Sequence, residues 1–595
     1  MMTFLFQCLV FFAQAFFLGL VFARLLNLLF PVLTVGINQQ PVHHCAFALT
    51  LDRFACKIFP TKYFGSLKDQ ESQTWTEYAK SWVITNFIFL FVCYILLRIQ
   101  HFLPLNPQKL DAVSPDLAFN IAAGFITGTD WQSYTPETTL STLSQCLTLT
   151  VQNFAAPALA FCSAMPLIRC LLPIDPALQK STLEEAEKNP DQKIIKTHRL
   201  PLGNFWYDFS RFILFFLLPT SCIIAVLQIW QGTPQNFNEY TTLSTLEGLK
   251  QVIGQGPVAS QIAIKMLGNN GGGFFNANSA HPFENPSAFT NWLQMLAMVV
   301  LPLGLLFYYG RLVDNKKHIQ TILAVMVTLL IISLAFIVYG QTLCLEHLGL
   351  GHLRLEGTET RFDLFHNTLF ADLTTSTTTG ALNRSFDSLH PLASLSVMFN
   401  LALGCVGIGG LGTGISTMIA YIILTIFIAG LLIGRTPDYL GRRIQKTEIQ
   451  YTVIALILTT FAILIVTAVS IFHVADLSLV NPVAHYFSTI LFTVLSNTSN
   501  NGSIMGGGNY NIPFFNALLG VTILIGRFGS ILPLLALAGT FCKKHLVAKS
   551  IESFPLSGFL FYLMLLTIVL LVVALTFLPA LCLGPISECI SLYGK

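Results

Sequence analysis

The stretch Val258-Ala-Ser-Gln-Ile-Ala-Ile-Lys-Met-Leu267, followed at once by Gly268-Asn269-Asn270-Gly271-Gly272-Gly273, decides the fold. A helix needs about 20 apolar residues to cross a bilayer, so a run of roughly half that length suits a half-helix that enters and turns back. The polar, glycine-containing segment after it lets the backbone run extended with its carbonyls free, because glycine accepts φ values that other residues resist. Irregular backbone at membrane depth is tolerated only where it is buried in protein or lines an aqueous path.

The same pairing occurs three more times. Leu117–Thr127 leads into Thr127-Gly128-Thr129-Asp130-Trp131-Gln132, Phe362–Leu373 into Thr374-Thr375-Ser376-Thr377-Thr378-Thr379-Gly380, and His485–Leu495 into Ser496-Asn497-Thr498-Ser499-Asn500-Asn501-Gly502-Ser503. The key glycines recur about 110 to 145 residues apart. Around these short runs lie long apolar stretches near 4–36, 82–100, 139–172, 210–230, 288–310, 319–340, 393–433, 450–474, 513–541 and 557–585, each long enough to span. The pattern predicts an all-α integral membrane protein of ten transmembrane helices. A leading helix (1–36) and a trailing helix (557–585) flank four helix–pore loop–helix repeats, 82–172, 210–310, 319–433 and 450–541. Repeats of equal topology build a ring, here pseudo-fourfold, about an axis along the membrane normal.

Composition agrees. Charged residues make up 10% of the 595 and apolar ones 53%, too few charges to solvate a globular surface of this size. The net charge of +3 says little about partners. The 13 cysteines lie mostly inside apolar runs (Cys93, Cys146, Cys162, Cys222, Cys542) without metal-site or disulfide spacing, and read as small packing residues. The first apolar run is too long for a signal-peptide core, which predicts that it is kept as a helix.

Basic residues mark the inner side. They crowd 175–211 (Lys180, Lys188, Lys193, Lys196, Arg199, Arg211) and the connections holding Arg311, Lys316 and Lys317, then Arg435, Arg442, Arg443 and Lys446, then Lys543, Lys544 and Lys549. The segment 37–81, with Arg53, Lys57, Lys62, Lys68 and Lys80, fits the same side. Every half-helix and both termini then fall outside, although outer loops such as 341–361 also carry a few basic residues.

Four converging strands of carbonyl oxygens can replace the hydration shell of a weakly hydrated monovalent cation. A divalent site needs several carboxylates, and the loops together offer one, Asp130. The alternative for any one loop is an ordinary turn at a helix end, which four equivalent occurrences disfavour. The chain has no GxxxxGK[ST] loop, no Asp-Lys-Thr-Gly phosphorylation sequence and no large soluble segment, so ATP-driven transport would draw its energy from another polypeptide. Arg527 stands about a dozen residues from either end of an apolar segment, where it reads either as a charge placed below the loops to block direct passage or as an arginine held structurally by loop carbonyls.

The run Gly256-Pro-Val-Ala-Ser-Gln through Lys265-Met-Leu-Gly-Asn-Asn-Gly-Gly-Gly-Phe-Phe-Asn-Ala-Asn-Ser-Ala-His-Pro-Phe-Glu-Asn-Pro286 resembles the signature of the KdpA family, the potassium-binding subunits of bacterial Kdp potassium-importing ATPases. So do Gly434-Arg-Thr-Pro-Asp-Tyr-Leu-Gly441, Asn500-Asn-Gly-Ser503 and Gly526-Arg-Phe-Gly529. The resemblance implies a non-catalytic subunit of the bacterial inner membrane that takes potassium from outside and passes it through an intramembrane tunnel to a P-type ATPase chain, with small accessory subunits. Potassium is the transported ligand, and no covalent cofactor is implied. The filter residues it implies are Gly128, Thr129 and Asp130, then Asn269, Asn270 and Gly271, then Thr378, Thr379 and Gly380, then Asn500, Asn501 and Gly502, with Gln132 as support. It also implies that the Arg435–Lys446 loop docks on the ATPase subunit; an orientation signal is the alternative. The first loop departs from the family's usual Thr-Asn-Thr-Asn-Trp-Gln, and Asp130 could strengthen cation attraction or be satisfied by backbone N–H groups away from the ion. A stand-alone Trk-like channel or transporter shares the four-loop logic but not the Gly256–Pro286 signature.

Overall fold

Among the described residues, ten helices are long and apolar enough to cross a bilayer: Phe4–Leu29, Trp75–Arg98, Thr142–Cys170, Phe205–Trp230, Ala288–Val313, Lys316–His347, Thr413–Ile433, Lys446–Phe472, Pro513–Phe541 and Phe559–Tyr593. The structure, a computed structural model, describes residues 2–30, 72–172, 202–404, 406–434, 436–544 and 554–593. Arg435, Lys549, most of the basic stretch 175–211 and the part of 37–81 before residue 72 lie outside the described residues.

Four half-helices sit between pairs of spans: Pro115–Ile126, Val258–Leu267, Leu364–Ser376 and Val483–Thr498. Their starts are written locally. Pro115 occupies the first helical turn, where its missing N–H costs nothing, and the Asp363 side chain caps the third by accepting from the His366 N–H. The second span of each repeat is the inner one, with 61–89% of its apolar stretch buried against 28–50% in the first span. In Thr142–Cys170, Ala155, Ala156, Ala158, Ala160 and Ala164 are all buried. Between helices in lipid, association rests on close packing, and small side chains let backbones approach. Cys93, Cys162 and Cys542 are buried free thiols, while Cys222 lies on an exposed helix face.

Two expectations need correction. The apolar stretch 393–433 is not one span: it divides into Pro391–Ala402 and Thr413–Ile433, with Gly404, Gly409 and Gly412 between them at φ +69°, +83° and +77°. A Cβ on Gly412 would lie 2.1 Å from the Ala160 carbonyl oxygen, so the break is where the chain passes hard against the inner helix of the first repeat. The third and fourth half-helices also run three residues into segments read as polar loop. Thr375 and Thr498 donate their hydroxyls to the Ala371 and Val494 carbonyls at 2.9 and 2.8 Å, so hydroxyl-rich sequence continues the helix by bonding back onto it. Among the described residues, two small antiparallel strand pairs, Thr241–Ser244 with Lys250–Ile253 and Asp438–Tyr439 with Arg442–Arg443, occupy connections.

Candidate functional site

Each half-helix ends in the same backbone figure. The carbonyl of Gly124 accepts from the Thr129 N–H (2.9 Å), that of Lys265 from Asn270 (2.9 Å), that of Thr374 from Thr379 (3.1 Å) and that of Ser496 from Asn501 (2.9 Å). Beyond the helix, the first and third residues of each loop's predicted triplet are left-handed: Gly128 and Asp130 at φ +69° and +50°, Asn269 and Gly271 at +54° and +77°, Thr378 and Gly380 at +57° and +77°, Asn500 and Gly502 at +58° and +87°. The middle residues Thr129, Asn270, Thr379 and Asn501 are not left-handed. Alternating the sign of φ turns successive carbonyls to one side, which neither a helix nor a strand allows. For Thr378, a β-branched residue, the conformation is strained by about 1–3 kcal/mol, as at other sites whose surroundings over-determine the backbone.

The loops close on one another in a ring. A Cβ on Gly271 would fall 1.8 Å from the Thr379 carbonyl oxygen, one on Gly380 1.9 Å from that of Asn501, and one on Gly502 1.6 Å from that of Thr129. Loop two thus abuts loop three, three abuts four, and four abuts one. Side chains repeat the order: Asn269 donates to the Thr379 hydroxyl at 3.0 Å and Asn500 to the Thr129 hydroxyl at 2.9 Å. Opposite loops are alike. Loops one and three carry hydroxyl pairs, Thr127 with Thr129 (2.8 Å) and Thr377 with Thr379 (2.7 Å), while loops two and four carry Asn-Asn-Gly. Gln132 links loops one and two, donating to the Gly273 carbonyl at 3.0 Å and accepting its N–H at 2.9 Å.

Asp130 takes the place that glycine holds in the other three loops. Its carboxylate is buried and, among the described residues, accepts from no backbone N–H; the Asn153 amide, turned so that its nitrogen donates, reaches Oδ2 at 2.7 Å, and Oδ1 has no hydrogen-bond partner among them. With Gln132, Gly272, Gly380, Arg384 and Gly502 it lines a cavity of about 270 Å³ on one side of the ring. At about 8 Å and an effective dielectric near 20, a carboxylate attracts a monovalent cation by roughly 2 kcal/mol. Burial of the carboxylate works against its charged form and offsets part of this. Asp130→Asn is therefore expected to weaken potassium binding about threefold to tenfold and to flatten its salt dependence, measured by titration of the purified protein. Unchanged affinity at low and high salt means that the carboxylate acts on no ion.

On the other side of the ring, Arg527 lines a small cavity with Thr127, Gly128, Asn269 and Thr378, residues where three of the loops leave their half-helices. It is buried, donates to the Ala156 carbonyl at 3.4 Å, leaves Nε without a partner and forms no ion pair among the described residues. A second cavity of about 80 Å³ adjoins Thr378 and Asn500 and continues past Tyr421, Thr459, Thr460, Ser530 and Thr576. Sequence reading did not single out Asn153 or the side-chain contacts of Lys265. Both sit inside helices: Asn153 meets the first loop from the span that follows it, and Lys265 is met by the segment after its own loop folding back.

The ring of loops on half-helices, enclosed by paired spans, defines a four-repeat pore-loop membrane protein. The family model "KdpA: Potassium-transporting ATPase A subunit" matches residues 34–590, and the chain belongs to that family. It is 41% identical over 531 residues to the potassium-transporting ATPase potassium-binding subunit of Enterobacter sp. (strain 638), covering 88% of this chain and 91% of the relative. The corresponding subunit of Pectobacterium atrosepticum is 39% identical over 581 residues, 97% and 98% of the two chains. Among solved structures, the potassium transporter TrkH from Vibrio parahaemolyticus aligns over 90% of this chain and 98% of its own with 14% identity and a TM-score of 0.45.

Proposed function

We propose that this chain is the subunit of a Kdp-type import complex that binds potassium from outside in the four-loop ring and passes it within the membrane to a P-type ATPase subunit. The observation that carries the reading is the closed ring, in which three glycines each abut the middle carbonyl of the next loop. Such a ring offers carbonyl oxygens in place of a hydration shell, the chemistry that suits potassium. Arg527 obstructs the straight inner path, and the lateral cavity lined by Thr459, Thr460, Ser530 and Thr576 supplies hydroxyls along a sideways route. The Arg435–Lys446 loop docks on the ATPase subunit. The complex sits in the bacterial inner membrane, with the pore loops and both termini extracytoplasmic. Family membership and the Gly256–Pro286 signature favour this over a stand-alone transporter.

Affinity purification from the native membrane in mild detergent tests the proposal. A P-type ATPase chain is expected to co-purify with potassium-stimulated hydrolysis, and Arg435→Glu to lower its yield. A chain that purifies alone and conducts potassium in liposomes without ATP overturns the proposal in favour of a stand-alone pore.

A further inference from the structure

We infer that Lys265 is a positioning residue that fixes the outer limit of the ion filter, an inference that rests on the four-loop filter proposed above. The position six residues before the third filter residue of each loop is occupied by Gly124, Lys265, Thr374 and Ser496. All four backbone carbonyls do the same work, each accepting a loop N–H, but the side chains differ. The Lys265 ammonium is fully buried and reaches the Gly272 carbonyl at 2.7 Å, Asn278 Oδ1 at 2.8 Å and Glu284 Oε2 at 2.6 Å. It thereby spends all three of its protons, one of them on the residue immediately outside the filter glycine Gly271.

The Gly272 carbonyl also accepts from Asn278 Nδ2 at 2.6 Å. A carbonyl oxygen has two lone pairs, so this one has none left for a cation, and the usable carbonyls of loop two end at Gly271. The opposite loop has the same strap in miniature: Ser496 Oγ donates at 2.7 Å to the carbonyl of Ser503, the residue after Gly502. Loops one and three lack it, since Gly124 has no side chain and the Thr374 hydroxyl has no partner. The outer end of the filter is therefore pinned across one diagonal.

Stability alone does not account for the arrangement. A buried ion pair generally stabilises no more than apolar residues of its volume, and the best-attested use of buried polar groups is to fix register. Here the register is that of Gly272–Glu284: Glu284 Oε1 accepts the Phe275 N–H at 2.8 Å, so the segment leaving the filter folds back onto the ammonium. Glu284 also cancels a positive charge that would otherwise oppose potassium a few residues from the ring.

The test keeps the site neutral. Lys265→Met/Glu284→Gln removes both charges, and Asn278→Gly keeps the ion pair and the left-handed backbone at φ +53° while deleting one donor to Gly272 and the Oδ1 acceptor of the Lys265 ammonium. Each is purified in the assembled complex and titrated with potassium and with rubidium, reading ion-dependent thermal stabilisation and ATPase stimulation. Groups that orient a ligand from behind typically contribute tenfold or more to ion affinity, so the double variant is expected to bind potassium about tenfold more weakly and Asn278→Gly about threefold. Both are expected to narrow the preference for potassium over rubidium. A merely structural role lowers the ion-free melting temperature and leaves that preference unmoved. Gly380→Asp runs alongside as the control for the filter itself. If it retains wild-type affinity, the four-loop reading fails; if it loses affinity while either of the other variants keeps both affinity and preference, only the role of Lys265 falls. Should the double variant fail to assemble, Asn278→Gly decides alone.

Discussion

Gly271→Asp and Gly502→Asp are each expected to abolish growth at limiting potassium and to weaken potassium binding by on the order of a hundredfold, the upper range for disturbing an ion's ligand set. The left-handed backbone contributes a minor share of this, about 1–2 kcal/mol for a residue with a Cβ. The larger share is steric. The new Cβ would stand 1.8 Å from the Thr379 carbonyl oxygen in the first variant and 1.6 Å from that of Thr129 in the second. Neither oxygen is the far end of a flexible side chain, so the ring itself must open and withdraw a carbonyl from the axis. Gly434→Ala serves as the control for left-handed backbone alone, because Gly434 has φ +74° and among the described residues a Cβ there would meet nothing within 4 Å. That variant is expected to keep wild-type affinity. Potassium titration of the purified variants is the measurement, and wild-type affinity in both aspartate variants removes loops two and four from the filter.

The repeat was legible because two signals coincide at every filter loop: an apolar run too short to span, then glycine among amides and hydroxyls. Glycine marked the third filter position in three loops, where φ is positive and a neighbour's carbonyl leaves no room. The first position was less visible, since Asn269, Thr378 and Asn500 hold positive φ without being glycine. Two half-helix ends lie beyond the sequence expectation where hydroxyls such as Thr375 bond back to their own helix, since composition alone does not say whether a threonine prolongs a helix or leaves it. The break at 404–412 was hidden for the opposite reason: its apolar neighbours keep the hydropathy high while Gly409 and Gly412 release the backbone. Lys265 lies within a family motif, yet nothing in the sequence gives it a role. Its partners Gly272, Asn278 and Glu284 lie 7 to 19 residues away, and no helical or strand period connects them.

Arg527→Ala is expected to raise passive potassium leak through the complex in liposomes by about two orders of magnitude, or to uncouple ATP hydrolysis from transport, while leaving the protein folded. A central arginine in a membrane helix costs roughly 2.5 to 3.5 kcal/mol on insertion scales, so its position demands compensation. One weak contact to the Ala156 carbonyl at 3.4 Å and an unpartnered Nε supply little of it, which argues against an arginine kept only for structure. Its place beside Thr127, Gly128, Asn269 and Thr378 sets the guanidinium against the points where three loops leave their half-helices. Two unit positive charges about 5 Å apart at an effective dielectric near 20 repel by roughly 3 kcal/mol, enough to slow passage about a hundredfold. Gly526, the preceding residue, explains how the charge gets so close: a Cβ there would meet the Thr498 carbonyl oxygen at 2.0 Å, so the helix touches the end of the fourth half-helix at this level. On the proposed route, an ion leaving the ring would meet this charge ahead and the hydroxyls of the lateral cavity beside it. Arg527→Lys keeps the charge and is expected to keep the leak low, whereas Arg527→Gln, similar in polarity but neutral, is expected to leak as the alanine variant does. Potassium flux into vesicles and the ratio of potassium moved to ATP hydrolysed distinguish these cases. Equal coupling and no added leak in both neutral variants would assign Arg527 to structure and leave the inner barrier to the packing beneath the ring.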